Sequence, residues 1–245
     1  MSRFINVETA ELDLVLRQDE VLTLLINSPE LKLNLDIKDA TVDILIFNNA
    51  KELHLQEIGL VVNASVSLVF LELSDSDLLQ NTQYVLKSHA SLDISTSYLG
   101  TACKKVSYEL VHDGLDTSSK ILNNVVSLKD AEFAMKVIGR INKGAKGASC
   151  HQKNNCLTIE KPKSARIEPI LAIDENEVEA SHSLACGTLD SEIMFYLNSR
   201  GLTAKDALHL LLQSYLLKDE ELLKDFANSE VINELSRKKV QQYVA

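Results

Sequence analysis

The run Leu31-Lys32-Leu33-Asn34-Leu35-Asp36-Ile37, with Val42-Asp43-Ile44-Leu45-Ile46 close behind it, alternates aliphatic and polar residues at a period of two. Successive side chains of a strand point to opposite faces, so Leu31, Leu33, Leu35 and Ile37 share one side and Lys32, Asn34 and Asp36 the other. This is the pattern of strands with one buried and one solvated face. The same beat occurs upstream at Leu12, Leu14, Leu16 and at Leu22, Leu24, Ile26. Downstream it returns at Leu53 and Leu55, at Val62, Ala64, Val66, Leu68 and Phe70, at Ala90, Leu92 and Ile94, and at Val106, Tyr108 and Leu110. Runs begin roughly ten residues apart and are joined by short links such as Asn27-Ser28-Pro29-Glu30, a spacing that suits a sandwich, a barrel or a β-solenoid. The sole Asp-Gly pair is Asp113-Gly114. Tight-hairpin signals are therefore scarce, which favours a solenoid over an antiparallel sandwich.

The chain has 245 residues, of which 45% are hydrophobic and 24% charged, enough to bury a core without disulfide or metal staples. With 25 basic against 35 acidic side chains, the net charge of -10 works against binding nucleic acid or an anionic membrane surface. The longest apolar stretch, Ile58 to Leu71, is broken by Asn63 and is shorter than the roughly 20 residues that span a bilayer. The opening Met1-Ser2-Arg3-Phe4-Ile5-Asn6-Val7-Glu8 turns acidic before an apolar export signal forms, so a cytoplasmic protein is expected. In that compartment Cys103, Cys150, Cys156 and Cys186 read as free thiols.

After Val178 the period changes. Asp190 suits the N-cap of a helix carrying Ile193, Met194 and Leu197 on one face, and Gly201 suits its left-handed C-terminal position. Thr203 and Asp206 resemble a capping box for a second helix with Ala207, Leu208, Leu211 and Tyr215 on its apolar side. Leu222 and Leu223, then Val231, Ile232 and Leu235 after Ser229, extend the helical character. The expected division is a β core over residues 1–185 and a helical domain over 186–245.

Phosphate-binding, dinucleotide-binding, nucleophile-elbow and zinc-protease signatures are all absent from the sequence. Lys143-Gly144-Ala145-Lys146-Gly147 lacks the Lys-Ser/Thr ending of a phosphate loop and reads as a turn. Strand parity puts Cys150 and Cys156 on one face and His151 on the other, which favours buried or half-buried thiols over a metal site on one strand. His112-Asp113 lacks a nucleophile at a fixed offset. His182 lies where strands give way to helices; a lone histidine is more often a hydrogen-bonded surface residue, but a neutral imidazole there suits metal ligation or proton transfer.

Glu179-Ala180-Ser181-His182, followed by Gly187-Thr188-Leu189-Asp190 and Phe195-Tyr196-Leu197-Asn198-Ser199-Arg200-Gly201, resembles the SufB/SufD family of iron-sulfur cluster assembly proteins. Gly144-Ala145-Lys146-Gly147 through His151 to Leu157, and Glu168-Pro169-Ile170-Leu171-Ala172-Ile173, resemble family motifs as well. The resemblance covers residues 105 to 217. It implies a mainly β fold: a right-handed parallel β-helix followed by a C-terminal helical domain.

The resemblance also implies a non-enzymatic scaffold of the SufBCD complex. Such a subunit pairs with a SufB-type paralogue, as a heterodimer rather than a homodimer, and docks a SufC-type ABC ATPase through its helices. A cysteine desulfurase system is an indirect partner. The chain reads as SufD-like: Pro162 stands where SufB has its cluster-building cysteine, and Ser183 where SufB has a glutamate after the histidine. By this resemblance His182 is the metal-site residue. The chain alone is expected to hold no cofactor stably, a nascent cluster arising only in the complex. It is shorter than usual members and is expected to lack their N-terminal helical region; Cys186 receives no role. Two other readings compete: a β-solenoid adaptor or polymerising protein without metal chemistry, and a β-helix enzyme acting on polysaccharide through clustered carboxylates.

Overall fold

The computed structural model describes residues 2–52, 54–217 and 226–243, so Leu53, Leu222 and Leu223 lie outside the described residues. The strands are β1 (Ser2–Val7), β2 (Glu11–Leu16), β3 (Glu20–Ile26), β4 (Glu30–Asn48), β5 (His54–Glu72), β6 (Leu78–Leu86) and β7 (Ser91–Gly100). They continue as β8 (Cys103–His112), β9 (Ser118–Ser127), β10 (Glu132–Ile141), β11 (Ser149–Thr158), β12 (Ser164–Ile173) and β13 (Glu179–Thr188). The described helices are α1 (Ser191–Ser199), α2 (Ala204–Leu216) and α3 (Ser229–Gln242).

Every described strand pair is parallel, which excludes the sandwich and leaves a parallel β-solenoid of about six turns. One sheet stacks β2, the first halves of β4 and β5, then β6, β8, β10 and β12. The other stacks β1, β3, the second halves of β4 and β5, then β7, β9, β11 and β13. The coil lengthens along the chain: Ser2 pairs with Val21, whereas Glu132 pairs with Ser164. Corners are turned by residues with positive φ, Asp39 (51°), His89 (65°), Asp116 (51°), Asp130 (61°) and Glu160 (60°). Aspartate is among the residues that enter this region readily, so coils turn without the Asn-Gly pairs that hairpins use. Gly144 (φ 93°) and Gly147 (φ 71°) form the corner between β10 and β11, confirming the Lys143–Gly147 segment as a turn.

The alternating aliphatics fill the lumen: Leu22, Leu24, Leu33, Ile37, Ile44, Val62, Leu68 and Leu92 form one continuous buried cluster. Leu55 departs from the expected pattern. It is 41% exposed, because the inward parity of β5 starts at Gln56 and runs through Ile58, Leu60 and Val62. Farther along, aromatic rings widen the core, with Phe70, Tyr98 and Phe133 at centroid separations of 5.7 and 5.8 Å. Alongside them a polar ladder runs through the lumen on β7, β9, β11 and β13. Thr96 Oγ1 donates to Asn123 Oδ1 at 2.6 Å, Asn123 Nδ2 to Asn154 Oδ1 at 2.7 Å, and Asn154 Nδ2 to the Ser183 carbonyl at 3.1 Å.

Helices cover one sheet from outside. Leu45, Phe47, Val69, Leu71, Leu99 and Val126 face outward and are buried in one cluster with Leu212, Leu216, Ile232 and Val240. Ser97 Oγ adds a hydrogen bond to the Leu216 carbonyl at 2.6 Å. The caps are as expected: Asp190 accepts from Glu192 N–H, Thr203 accepts from Asp206 N–H, and Gly201 has φ 92°. Helix α1 buries none of its residues, Ile193, Met194 and Leu197 included, and Val231 is exposed on α3 while Ile232 is buried. Strand pairing also continues past residue 185, because Cys186, Gly187 and Thr188 remain in register with Cys156, Leu157 and Thr158.

Two buried polar groups are internally satisfied. Lys104 and Glu72, both fully buried, pair at 2.8 Å, and Lys104 Nζ also donates to the carbonyls of Ser74 at 3.0 Å and Ser76 at 3.1 Å. Asn48, Ser74 Oγ and the Ser74 N–H donate to Glu72. Breaking such a pair leaves a buried charge uncompensated. Lys104→Ala should therefore lower unfolding free energy by about 3–5 kcal/mol in urea titrations; a loss under about 1 kcal/mol would show Glu72 to be neutral or rehydrated.

His112 is fully buried, its ring nitrogens 2.8 Å from Thr117 Oγ1 and 2.9 Å from Ser119 Oγ. Burial pulls its pKa from 6.5 down to about 4. The unfolded chain thus binds more protons than the native one between these values, and stability rises with pH through that window. The contribution is complete above pH 6.5 and is lost as pH falls to about 4, roughly 3 kcal/mol in all. Urea midpoints across this range should show the rise, and His112→Gln should flatten it; an unchanged slope in the variant would assign the dependence to carboxylates instead.

Candidate functional site

Among the described residues, strands β12 and β13 end their respective sheets: β12 pairs only with β10, and β13 only with β11. A coil in the middle of the stack is covered on both sides, but this one has a neighbour on one side only. Register with the buried Phe133, Met135, Val137 and Ile141 places Ala165, Ile167, Pro169 and Ile173 on the lumen side of β12. Register with Cys150, Gln152, Asn154 and Cys156 does the same for Ala180, His182, Leu184 and Cys186 of β13. The rim so formed is open: Ile173 is 41% and Leu184 43% exposed, and His182 and Cys186 are exposed too. The change of pattern after Val178 thus has a physical cause, since an end strand needs no buried alternating face.

His182 stands in register with Gln152. Gln152 is 3% exposed, donates through Nε2 to the Ile170 carbonyl at 3.3 Å, and leaves its Oε1 without a partner. A buried amide oxygen beside an exposed imidazole can accept one ring N–H and leave the other nitrogen free as a donor atom. Among the described residues no group of three or more His, Cys, Asp or Glu is arranged to hold a metal ion. His182 thus stands as a single imidazole at an open rim.

The other candidate residues are placed apart from it. His112 is sealed in the lumen, while Asp113 lies outside and pairs with Lys87 at 2.7 Å, so the two form no catalytic pair. His151 points outward, as parity required, with ring nitrogens 3.0 Å from Ser149 Oγ and 2.7 Å from Ser181 Oγ. It faces a groove of about 670 Å³ shared with Lys120, Lys153 and Asp93. Cys150 is buried, and desolvation raises its pKa against the lowering influence of hydrogen bonds with Ser119 and Gln152. Cys156 is in register with Cys186. Burial, with Cys186 beside it, pushes the Cys156 thiol up to about 12. Sequence reading missed this pairing, because thirty residues separate the two and only the coil length brings them together.

A second exposed feature adjoins the rim. Helix α1 shows Ile193 at 45%, Phe195 at 75% and Tyr196 at 54% exposure, with Arg200 5.3 Å from the Tyr196 ring centroid. Isolated exposed apolar side chains are ordinary, but here three fall within four positions of one short helix.

Comparison with known proteins agrees with this architecture. The family description "SUF system FeS cluster assembly, SufBD core domain" matches residues 37–215. The iron-sulfur cluster assembly protein SufD of Bacillus subtilis (strain 168) is 29% identical over 117 residues, covering 48% of this chain and 27% of that protein. SufD of Escherichia coli (strain K12) is 27% identical over 110 residues, covering 45% of this chain and 23% of that protein. The matched part is thus only about a quarter of these relatives. A SufBD family protein of Synechocystis is 32% identical over 85 residues, covering 35% of this chain and 18% of that protein. The family match spans coils and helices alike, and the chain belongs to the SufB/SufD family of iron-sulfur cluster assembly proteins, with SufD-like character.

Proposed function

We propose that this chain is a non-catalytic, cytoplasmic scaffold subunit for iron-sulfur cluster assembly, pairing with a SufB-type subunit through its open terminal coil and docking a SufC-type ATPase through α1. The observation that carries the reading is the uncovered rim, where Ile173 of β12 and Leu184 of β13 are exposed on the lumen side, as is His182. An end coil with apolar side chains in water is stabilised by a second surface that covers it. Family membership supports the assembly role, and the exposed Phe195–Tyr196 patch supports a separate docking site. None of the described helices is long and apolar enough to cross a membrane.

In this reading the nascent cluster is cargo. His182 offers one imidazole nitrogen, the paired subunit supplies the thiolate that Pro162 replaces here, and ATP is hydrolysed by SufC. A cysteine desulfurase system delivers sulfur to the assembly rather than to this chain alone. Imidazole with thiolate is a suitable donor set for iron.

Three variants separate these roles. Leu184→Asp should abolish co-purification with SufB while SufC binding persists. Phe195→Asp with Tyr196→Asp should do the reverse, because α1 contributes nothing to the core. His182→Ala should keep both partners and slow cluster formation roughly tenfold or more, since even a group that only orients a ligand is worth about that much. Wild-type cluster formation by His182→Ala in an intact complex would remove the assigned role.

A further inference from the structure

The four cysteines are free, and two of them meet. Cys156 and Cys186 occupy the same register position of neighbouring parallel strands and point to the same side. Adjacent strands put their Cα atoms about 4.8 Å apart, inside the span of about 4.4–6.8 Å that disulfides bridge. Cys186 is close enough to Cys156 to help raise the pKa of that thiol. Their surroundings differ: Cys156 is 2% exposed, whereas Cys186 lies on the open rim. Cys150 engages Ser119 and Gln152 instead, and Cys103 begins β8.

We infer that Cys156 and Cys186 are an oxidant-responsive dithiol that closes to a disulfide when a peroxide reaches the rim. Cys186, the accessible member, is the attacking sulfur. Its thiolate takes one peroxide oxygen, the O–O bond breaks, hydroxide leaves, and a sulfenic acid forms. Cys156 then attacks the sulfenic sulfur, the S–O bond breaks, and the second oxygen departs as water with the thiol proton. Two thiols have given two electrons and two protons to one hydrogen peroxide, yielding one disulfide and two waters. A small-molecule dithiol reverses the change by exchange. The high pKa of Cys156 fits a resolving role, since a protonated buried thiol is a poor first nucleophile. The cross-link would tie β13 to β11 at the end of the stack, next to the start of α1. This site does not depend on the assembly role proposed above.

The test uses the reduced full chain and hydrogen peroxide. Free thiols should fall from four to two, with a peptide map joining Cys156 to Cys186 and dithiothreitol restoring all four. In Cys186→Ser, loss of the Cys156 thiol should slow about tenfold or more, because oxidation follows exposure. In Cys156→Ser, Cys186 should persist as a sulfenic acid that dimedone captures, and Cys150→Ser should behave as wild type; circular dichroism checks that each variant keeps its strands. Four surviving thiols, a disulfide joining any other pair, or Cys186→Ser losing Cys156 at the wild-type rate would overturn the assignment. The wild-type map decides even if a variant fails to fold.

Discussion

In-register parallel stacking makes each coil the floor of the next: an inward side chain is buried only if the neighbouring coils place side chains above and below it. Leu33, for example, is sealed by Leu12 on one side and Ile58 on the other, its register partners in β2 and β5. Much of the rest follows from this one constraint. A parity error would expose a whole row, so β5 keeps Gln56, Ile58, Leu60 and Val62 inward even at the expense of leaving Leu55 in water.

The same constraint cannot be satisfied at the end of a stack. Strand β13 has β11 beneath it and no strand above, so Leu184 and His182 reach solvent from a position that would otherwise be lumen. The interior changes in step with this. Aliphatic near β3 and β4, from β7 onward it carries both aromatic rings, at Tyr98 and Phe133, and amide and hydroxyl groups, at Thr96, Asn123, Asn154 and Gln152. Polar residues can fill a lumen when each coil hands its hydrogen bond to the next, as Thr96, Asn123 and Asn154 do. The ladder ends on the backbone of β13, so the open rim is backed by a hydrogen-bonded interior.

The helices divide their work. Leu212, Leu216, Ile232 and Val240 of α2 and α3 cover the apolar outer face of one sheet, whereas α1 covers nothing. An amphipathic period predicts both kinds of helix alike, because periodicity reports that a face is apolar and not what lies against it. Hence Ile193 and Val231, apolar helix positions both, stand in water, and Leu212 and Leu216 carry burial that the i, i+3, i+4 count did not emphasise.

Much of the fold was legible in the residues. The alternation around Leu31–Ile46 determined which side chains go inward, and Asp190, Thr203 and Gly201 determined where helices start and stop, because both are local consequences of backbone geometry. His182 was found through its neighbours in sequence, as part of a motif. What tertiary structure alone decided was the vertical neighbourhood: Gln152 beneath His182, Cys156 beside Cys186, Lys104 against Glu72. These contacts depend on coil length, which runs from the Ser2–Val21 spacing to the longer Glu132–Ser164 spacing. Each corner adds its own number of residues, so the alternation tells a side chain which way to point, while only the closed coil determines what it meets there.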